Sequence, residues 1–343
     1  MGTKLADIVE AKTITLRDLA GKKLAIDAFN TIYAFLASIR QPDGTPLMDS
    51  KNRVTSHLSG LFYRTLNLLE QGIYPAYVFD GEAPQLKAEE VARRREIRDA
   101  AFKEWQTAKD EGRIEDARKA AQASSRLDSQ MIEESKELLQ ALGVPVVQAP
   151  SEGEALAAQM ARAGDVWASA SQDNDSLLYN CPRMIRNLTI SGRRRSTRSG
   201  GYRTIEPELI ELDLNLRILE ITREQLIDVA ILVGTDYNEG VKGIGPKTAL
   251  KLIQKHGNLE GVEAEKGEFD FPFRKIRQIF LNPPESEVEP LKWTDVDPDR
   301  IRKILCKEHS FGENRVDRSL ERLAEALEEV RGSTEQSSLT DFF

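Results

Sequence analysis

The chain has 343 residues, with 48 Lys and Arg against 56 Asp and Glu, a formal net charge of −8, and 30% charged against 40% hydrophobic residues. That balance suits one large or two ordinary soluble domains and excludes a collagen-like or wholly disordered chain. No apolar run approaches the roughly 20 residues of a membrane-spanning helix. Residues 1–4 lack the apolar stretch of a signal peptide. Two cysteines, Cys181 and Cys306, cannot build a disulfide framework and point to a reducing compartment. Three histidines without close Cys/His spacing disfavour structural zinc. Taken alone, the acidic net charge also disfavours a nucleic-acid partner.

Residues 24–27 read as a short buried strand, followed by an apolar helix over 31–40. A periodic helix over 58–70 leads into a second strand at 76–80, and strands at 144–147 and 166–170 flank a helix at 154–163. Strands spaced by amphipathic helices imply crossover connections, hence an α/β fold with a mainly parallel central sheet flanked by helices. Residues 184–190 and 202–205 are expected to pair as a hairpin around Ser191-Gly192 and an Arg-rich turn. Between the second and third strands the chain is dense in charge, with ten basic and nine acidic residues from Lys87 to Lys119. Such mixed charge suits solvated helices laced by side-chain pairs. An insertion that long exceeds a simple connector; it reads as a surface helical hairpin or as a helical arch over a site, at about 84–136. The residues from Arg331 are polar and Ser/Thr-rich and read as a flexible tail, 331–343, after a single domain spanning 1–330.

Carboxylates recur at the ends of these strands. Asp27 and Asp80 end the first two, Glu152 and Glu154 follow the third, and Asp173 and Asp175 follow the fourth. Open α/β sheets bind ligands beyond the carboxyl ends of their strands. Singly, each acid has a plain reading: Ser151 and Glu154 fit a helix capping box, Asp173 or Asp175 can cap the next helix, and Asp27 and Asp80 suit turns. Together, four strand ends bearing acids would repel one another unless cations neutralise them. Hard oxygen donors without His or Cys indicate Mg²⁺ or Mn²⁺, and paired ions suit phosphodiester chemistry. Lys87, Arg93, Arg94 and Arg95, just past Asp80, can hold phosphates or can simply form a solvated face.

Seven arginines and no acid lie between Arg183 and Arg203, a local +7 in a −8 chain, so charge is sorted into regions. Farther on, Gly243-Ile244-Gly245-Pro246-Lys247 joins helices at 222–233 and 247–256. Pro246 and the preceding helix exclude a P-loop. The alternative is a helix–hairpin–helix over about 222–257, whose Gly amides grip a phosphate without reading bases. Lys247, Lys251 and Lys255 share one face of its second helix, and Asp236 just before the turn can close the acidic cluster. At the chain's end, Leu339 and Phe342 meet on one side of a helical turn beside Phe343, apolar groups that call for a receiving pocket.

These residues together resemble the flap endonucleases of the structure-specific 5′-nuclease superfamily, most closely the archaeal members. The resemblance spans the whole chain. It is carried by Ala25-Ile26-Asp27-Ala28-Phe29-Asn30, Tyr77-Val78-Phe79-Asp80-Gly81, Pro84-Gln85-Leu86-Lys87, Ser151-Glu152-Gly153-Glu154, Ser171-Gln172-Asp173-Asn174-Asp175, Gly234-Thr235-Asp236-Tyr237-Asn238 and the Gly243–Lys247 segment. It implies two Mg²⁺ ions, replaceable by Mn²⁺, held by Asp27, Asp80, Glu152, Glu154, Asp173, Asp175 and Asp236. Lys87 and Arg94 would meet the scissile phosphate in two-metal-ion hydrolysis at the base of a 5′ flap, in DNA replication and repair. Tyr33 would stack on a base, Arg64 and Thr55 would hold the template bend and a 3′ flap, and Gly2, exposed when Met1 is removed, would lie near the site. Gly243, Gly245 and Lys247 would hold the downstream duplex, with a K⁺ ion at the hairpin. The final octapeptide, with Gln336, Leu339, Phe342 and Phe343, resembles the motif that binds the PCNA sliding clamp. Eukaryotic members continue into a basic tail, whereas this chain stops at the motif, which points to an archaeal cytoplasm; a monomer with no membrane partner is expected. Thr3 departs from the pattern, standing where an aliphatic residue is expected. Within the enzyme class the alternatives are a 5′–3′ exonuclease or a sibling that cuts bubbles or junctions; outside it, a non-catalytic clamp-bound DNA scaffold.

Overall fold

The computed structural model describes residues 3, 5–41, 43–82, 84–195 and 202–340, without the side chains of 85, 88–91, 193–195, 202–203 and 330–340. In chain order the strands are β1 (Lys12–Thr13), β2 (Lys23–Asp27), β3 (Tyr74–Phe79), β4 (Val146–Gln148), β5 (Ala168–Ala170), β6 (Arg183–Arg186), β7 (Gly192–Arg195), β8 (Tyr202–Ile205) and β9 (Glu208–Glu211). Among the described residues, seven of them form one sheet in the order β1-β9-β6-β5-β2-β3-β4. Its centre is parallel: Ile26 registers with Tyr77 on β3 and with Ala170 on β5, and β4 and β6 extend the parallel set on either side. The edge is antiparallel, through β9 on β6 and β1 on β9.

The sheet is covered on both faces, so Leu24, Ala25 and Ile26 are all fully buried, an apolar run rather than an alternation. The pleat still sorts them. Leu24 and Ile26 share one core with Tyr77 and Phe79, while Ala25 and Val78 face the other. Helices α1 (Ala28–Ser38), α2 (Ser56–Glu70), α3 (Ala88–Asp110), α4 (Ile114–Ala123), α5 (Ser129–Ala141), α6 (Gly153–Ala163) and α7 (Asp175–Leu178) belong to the parallel half. After β9 come α8 (Leu212–Leu219), α9 (Arg223–Val233), α10 (Pro246–His256), α11 (Leu259–Lys266), α12 (Phe273–Leu281), α13 (Pro298–Arg302) and α14 (Glu313–Thr340). Among the described residues no helix is long and apolar enough to cross a membrane.

Three boundaries differ from the sequence reading. The hairpin partner of β8 is β7, not the segment at 184–190. Met184 and Ile185 are fully buried in β6, which lies in the sheet interior between β5 and β9. The charged surface pair consists of α3 and α4, turning at Gly112; α5 begins with the Asp128 side chain accepting from the Met131 amide at 2.8 Å and buries Leu138, Leu139 and Ala141. The expected arch limit at 136 therefore falls inside a core helix. At the other end, α14 buries Val316, Leu320 and Leu323 and its backbone runs on through the expected tail to Thr340.

Candidate active site

Adjacent parallel strands β5, β2, β3 and β4 present their carboxyl ends side by side, and the acids stand there. Asp27 closes β2 and, at the N-cap of α1, accepts from the Asn30 amide at 2.9 Å. Capping thus holds it without removing it from the cluster. Asp80 accepts from the Gly153 amide at 2.7 Å. A Cβ at Gly153 would stand 2.7 Å from that same Asp80 oxygen, so any larger residue would make that carboxylate shift. Ser151 does not cap α6; its hydroxyl donates to the Glu82 carbonyl, which leaves Glu152 and Glu154 open to the site. Asn174, not an aspartate, occupies the N-cap of α7.

Small polar groups hold the remaining acids. Ser171 Oγ donates to Glu154 at 2.8 Å and lies 3.5 Å from Asp27. Asn30 Nδ2 donates to Asp173 at 2.9 Å. Asp175 accepts from both the amide and the hydroxyl of Thr3. None of these four supporting residues (Gly153, Ser171, Asn30 and Thr3) stood out in the sequence as functional, although the Asp27/Asn30 spacing is a readable N-cap pair.

The electrostatics reveal surplus negative charge. Burial, then the neighbouring Asp80, pushes Asp27 up to about 8. Burial, then Asp236, pushes Asp175 up to about 6. Burial likewise raises Asp80 and, reinforced by Asp175 and Asp27, raises Glu154 well above the carboxylate range. Asp236 goes the other way: burial is outweighed by Lys87 and Arg94, which hold it low. Lys87 reaches in from the base of α3 to Glu152 at 2.7 Å and Asp236 at 3.1 Å, and Arg94 pairs with Asp236. Burial opposes the Lys87 ammonium, but Glu152 and Asp236 outweigh it and raise its pKa.

Among the described residues no three such side chains close into a ready-made ligand set. Like charges in a partly dry space stand apart until cations join them. The donor set fits a divalent hard cation: it is all oxygen, oversupplied with negative charge, and its acids raise one another's pKa.

Tyr33 lies under the Arg98 guanidinium, 4.9 Å from ring centre to charge. Arg64 donates to the Ser191 carbonyl at 2.8 Å beside a cavity of about 710 Å³ lined also by Phe35, Tyr63, Asn67 and Thr204. Thr55 is buried at the start of α2, its amide on the Leu47 carbonyl. Gly243 takes φ +86° and Gly245 caps α10, with Pro246 in its first turn. Lys247 and Lys251 are exposed there, whereas Lys255 is engaged by Glu265 at 2.7 Å. Gly2, Phe342 and Phe343 lie outside the described residues, as do the side chains of Gln336 and Leu339.

The chain is similar to proteins of a known family. The chain matches the XPG N-terminal domain over residues 1–101 and the XPG I-region over 143–236. It is 53% identical over 338 residues to flap endonuclease 1 of Pyrococcus horikoshii, covering 98% of each chain. The chain belongs to the flap endonuclease family. Among solved structures, the family's flap endonuclease-1 from Methanococcus jannaschii superposes with a TM-score of 0.71 at 40% identity, over 96% of this chain and 99% of that one. The catalytic core of Rad2 in complex with DNA substrate shares the fold, with a TM-score of 0.71 at 24% identity over 94% of this chain and 100% of that one. The two family segments hold all seven acids together with Lys87 and Arg94, and the stretch between them, 102–142, contains most of the charged α3/α4 pair.

Proposed function

We propose that the protein is a Mg²⁺-dependent 5′-flap endonuclease that hydrolyses the phosphodiester at the base of 5′ flaps during DNA replication and repair in an archaeal cytoplasm. The observation that carries this reading is the gathering of acids at four adjacent strand ends, where Glu152, with Asp236 from just after α9, pairs with Lys87 and Arg94 at the foot of α3. Asp27, Asp80, Glu152, Glu154, Asp173, Asp175 and Asp236 would hold two divalent ions. When bound, such ions activate water and stabilise the leaving oxygen of an in-line displacement. The chain's own groups do the rest. Lys87 and Arg94, which pair with Glu152 and Asp236, would transfer to the scissile phosphate. Tyr33 on α1, which faces Arg98 of α3, would stack on a base. Gly243, Gly245 and Lys247 would grip the downstream duplex, with a K⁺ ion at the hairpin, while Arg64 and Thr55 would hold the template bend and a 3′ flap. Gly2 would lie beside the site, next to Thr3. The enzyme would act as a monomer, and Gln336, Leu339, Phe342 and Phe343 would bind the sliding clamp.

The test is incubation with Mg²⁺ and a double-flap DNA beside a single-stranded control of the same sequence. Selective cleavage at the flap base is expected, and it should be abolished in the Asp175→Ala protein. Equal rates on both substrates would sink the structure-specific reading, and an Asp175→Ala enzyme that cuts normally would sink the metal assignment. Removing residues 336–343 should abolish clamp binding and leave cleavage of free flap DNA intact; unchanged clamp affinity would refute the tail's role.

A further inference from the structure

Thr3 is 3% exposed and grips Asp175 twice: its amide donates to Oδ1 at 2.8 Å, and its hydroxyl donates to the same oxygen. From the other side, Asn174 Nδ2 donates to the Thr3 carbonyl at 3.3 Å. Residue 3 is thereby clamped between two consecutive side chains at the start of α7, so its hydroxyl has a defined direction. Both donors fall on Oδ1. That fixes the rotation of the Asp175 carboxylate and leaves Oδ2 outside these bonds. An aliphatic residue at position 3, the type the sequence pattern leads one to expect, would keep the amide bond and lack the hydroxyl one.

We propose that Thr3 is a positioning residue whose side-chain hydroxyl orients Asp175 toward a divalent cation and thereby strengthens cation binding. The inference rests on reading Asp175 as a metal ligand. Hydrogen bonds to charged groups carry enough free energy that losing this one should weaken binding roughly three- to tenfold.

The test measures Mn²⁺ binding to the full chain without DNA, by calorimetry and by the electron paramagnetic resonance signal of free ion, for wild type, Thr3→Val, Thr3→Ser and Asp175→Asn. The Thr3→Val protein should bind several-fold more weakly, Thr3→Ser should restore wild-type affinity, and Asp175→Asn should bind weakest. In flap cleavage, the Mg²⁺ concentration for half-maximal rate should rise for Thr3→Val while the rate at saturating Mg²⁺ approaches wild type. Melting in EDTA checks the fold, and Thr3→Ala serves if the valine protein does not fold. Wild-type affinity in Thr3→Val alongside weak binding in Asp175→Asn overturns the role of Thr3. Equal weakening in the valine and serine proteins also overturns it, because shape rather than the hydroxyl would then be responsible. Wild-type affinity in Asp175→Asn instead overturns the metal reading beneath it.

Discussion

Asp27 and Asp175 are carboxyls whose ordinary pKa, about 3.9 in a solvated aspartate, is raised to about 8 and about 6, by burial first and then by Asp80 in the one case and Asp236 in the other. A raised acid pKa means that the folded state takes up protons. Their contribution to stability is complete below about pH 4 and is lost as pH climbs through 6 and then 8. In the proposed function, cations would replace those protons. Mg²⁺ should therefore raise the melting temperature more at pH 8 than at pH 6, and calorimetry at pH 7 in two buffers should show proton release on binding. An equal shift at both pH values would argue against these acids as the ligands. Gly153 makes a sharper residue-scale case. Gly153→Ala places a methyl 2.7 Å from the Asp80 oxygen that its amide now holds. Cleavage should fall about tenfold or more, the cost of displacing one polar group by a small distance in such a site. Far-ultraviolet circular dichroism should be unchanged, and wild-type activity would show that the Asp80 contact is dispensable.

Away from the acids, several elements are joined by a buried polar clasp. His57 at the start of α2 and His309 after α13 each lie 3.4 Å from a Glu134 oxygen on α5, and His309 also lies 3.6 Å from Asp49. Arg53 grips Asp49 at 2.7 Å, and Ser50 meets Ser310 at 2.7 Å. Burial depresses His309, aided by Arg53 and His57 and opposed by Glu134 and Asp49. A depressed histidine contributes stability above its unfolded value of about 6.5, and that contribution is lost as pH falls through the folded value. Between pH 7 and pH 5 the wild type should lose melting temperature relative to His309→Gln, the reverse of the trend from the buried acids. Parallel curves for the two proteins would refute the clasp's pH dependence. A second junction ties α3 and α4 to the loop after α1: Lys109 reaches Asp43 at 3.3 Å and Thr45 at 2.8 Å, and a Cβ on Gly44 would stand 2.8 Å from the Ala121 methyl. The foot of this helical pair carries Lys87 and Arg94, at the acid cluster.

For the whole molecule, the net charge of −8 hides its distribution. Acids concentrate at the strand ends, while arginines gather at 183–203 and exposed lysines at 242, 247 and 251. Counterion release counts only the charges that meet phosphates, with a logarithmic salt slope of about 0.9 per contact. Replacing Arg193, Arg194 and Arg195 together by Ser should weaken binding of duplex DNA and flatten its salt dependence by about two to three, without altering flap selectivity. An unchanged slope would mean that the hairpin does not touch the DNA.

The sequence alone determined the parallel α/β sheet and pointed to the acids at its strand ends. Short-range patterns encode such features: apolar runs flanked by helical periodicity, each ending in a carboxylate. It also marked Thr3 as unusual without explaining it. Only the tertiary structure decided which strand pairs with β8, where the surface helices give way to the core, and which small residues hold each acid. Thr3 and Asp175 lie 172 residues apart, and Asn30 and Asp173 lie 143 apart. No local periodicity records a contact of that separation. The Asn30–Asp173 contact exists because the sheet order brings β2 beside β5, and burial there favours polar groups that find partners.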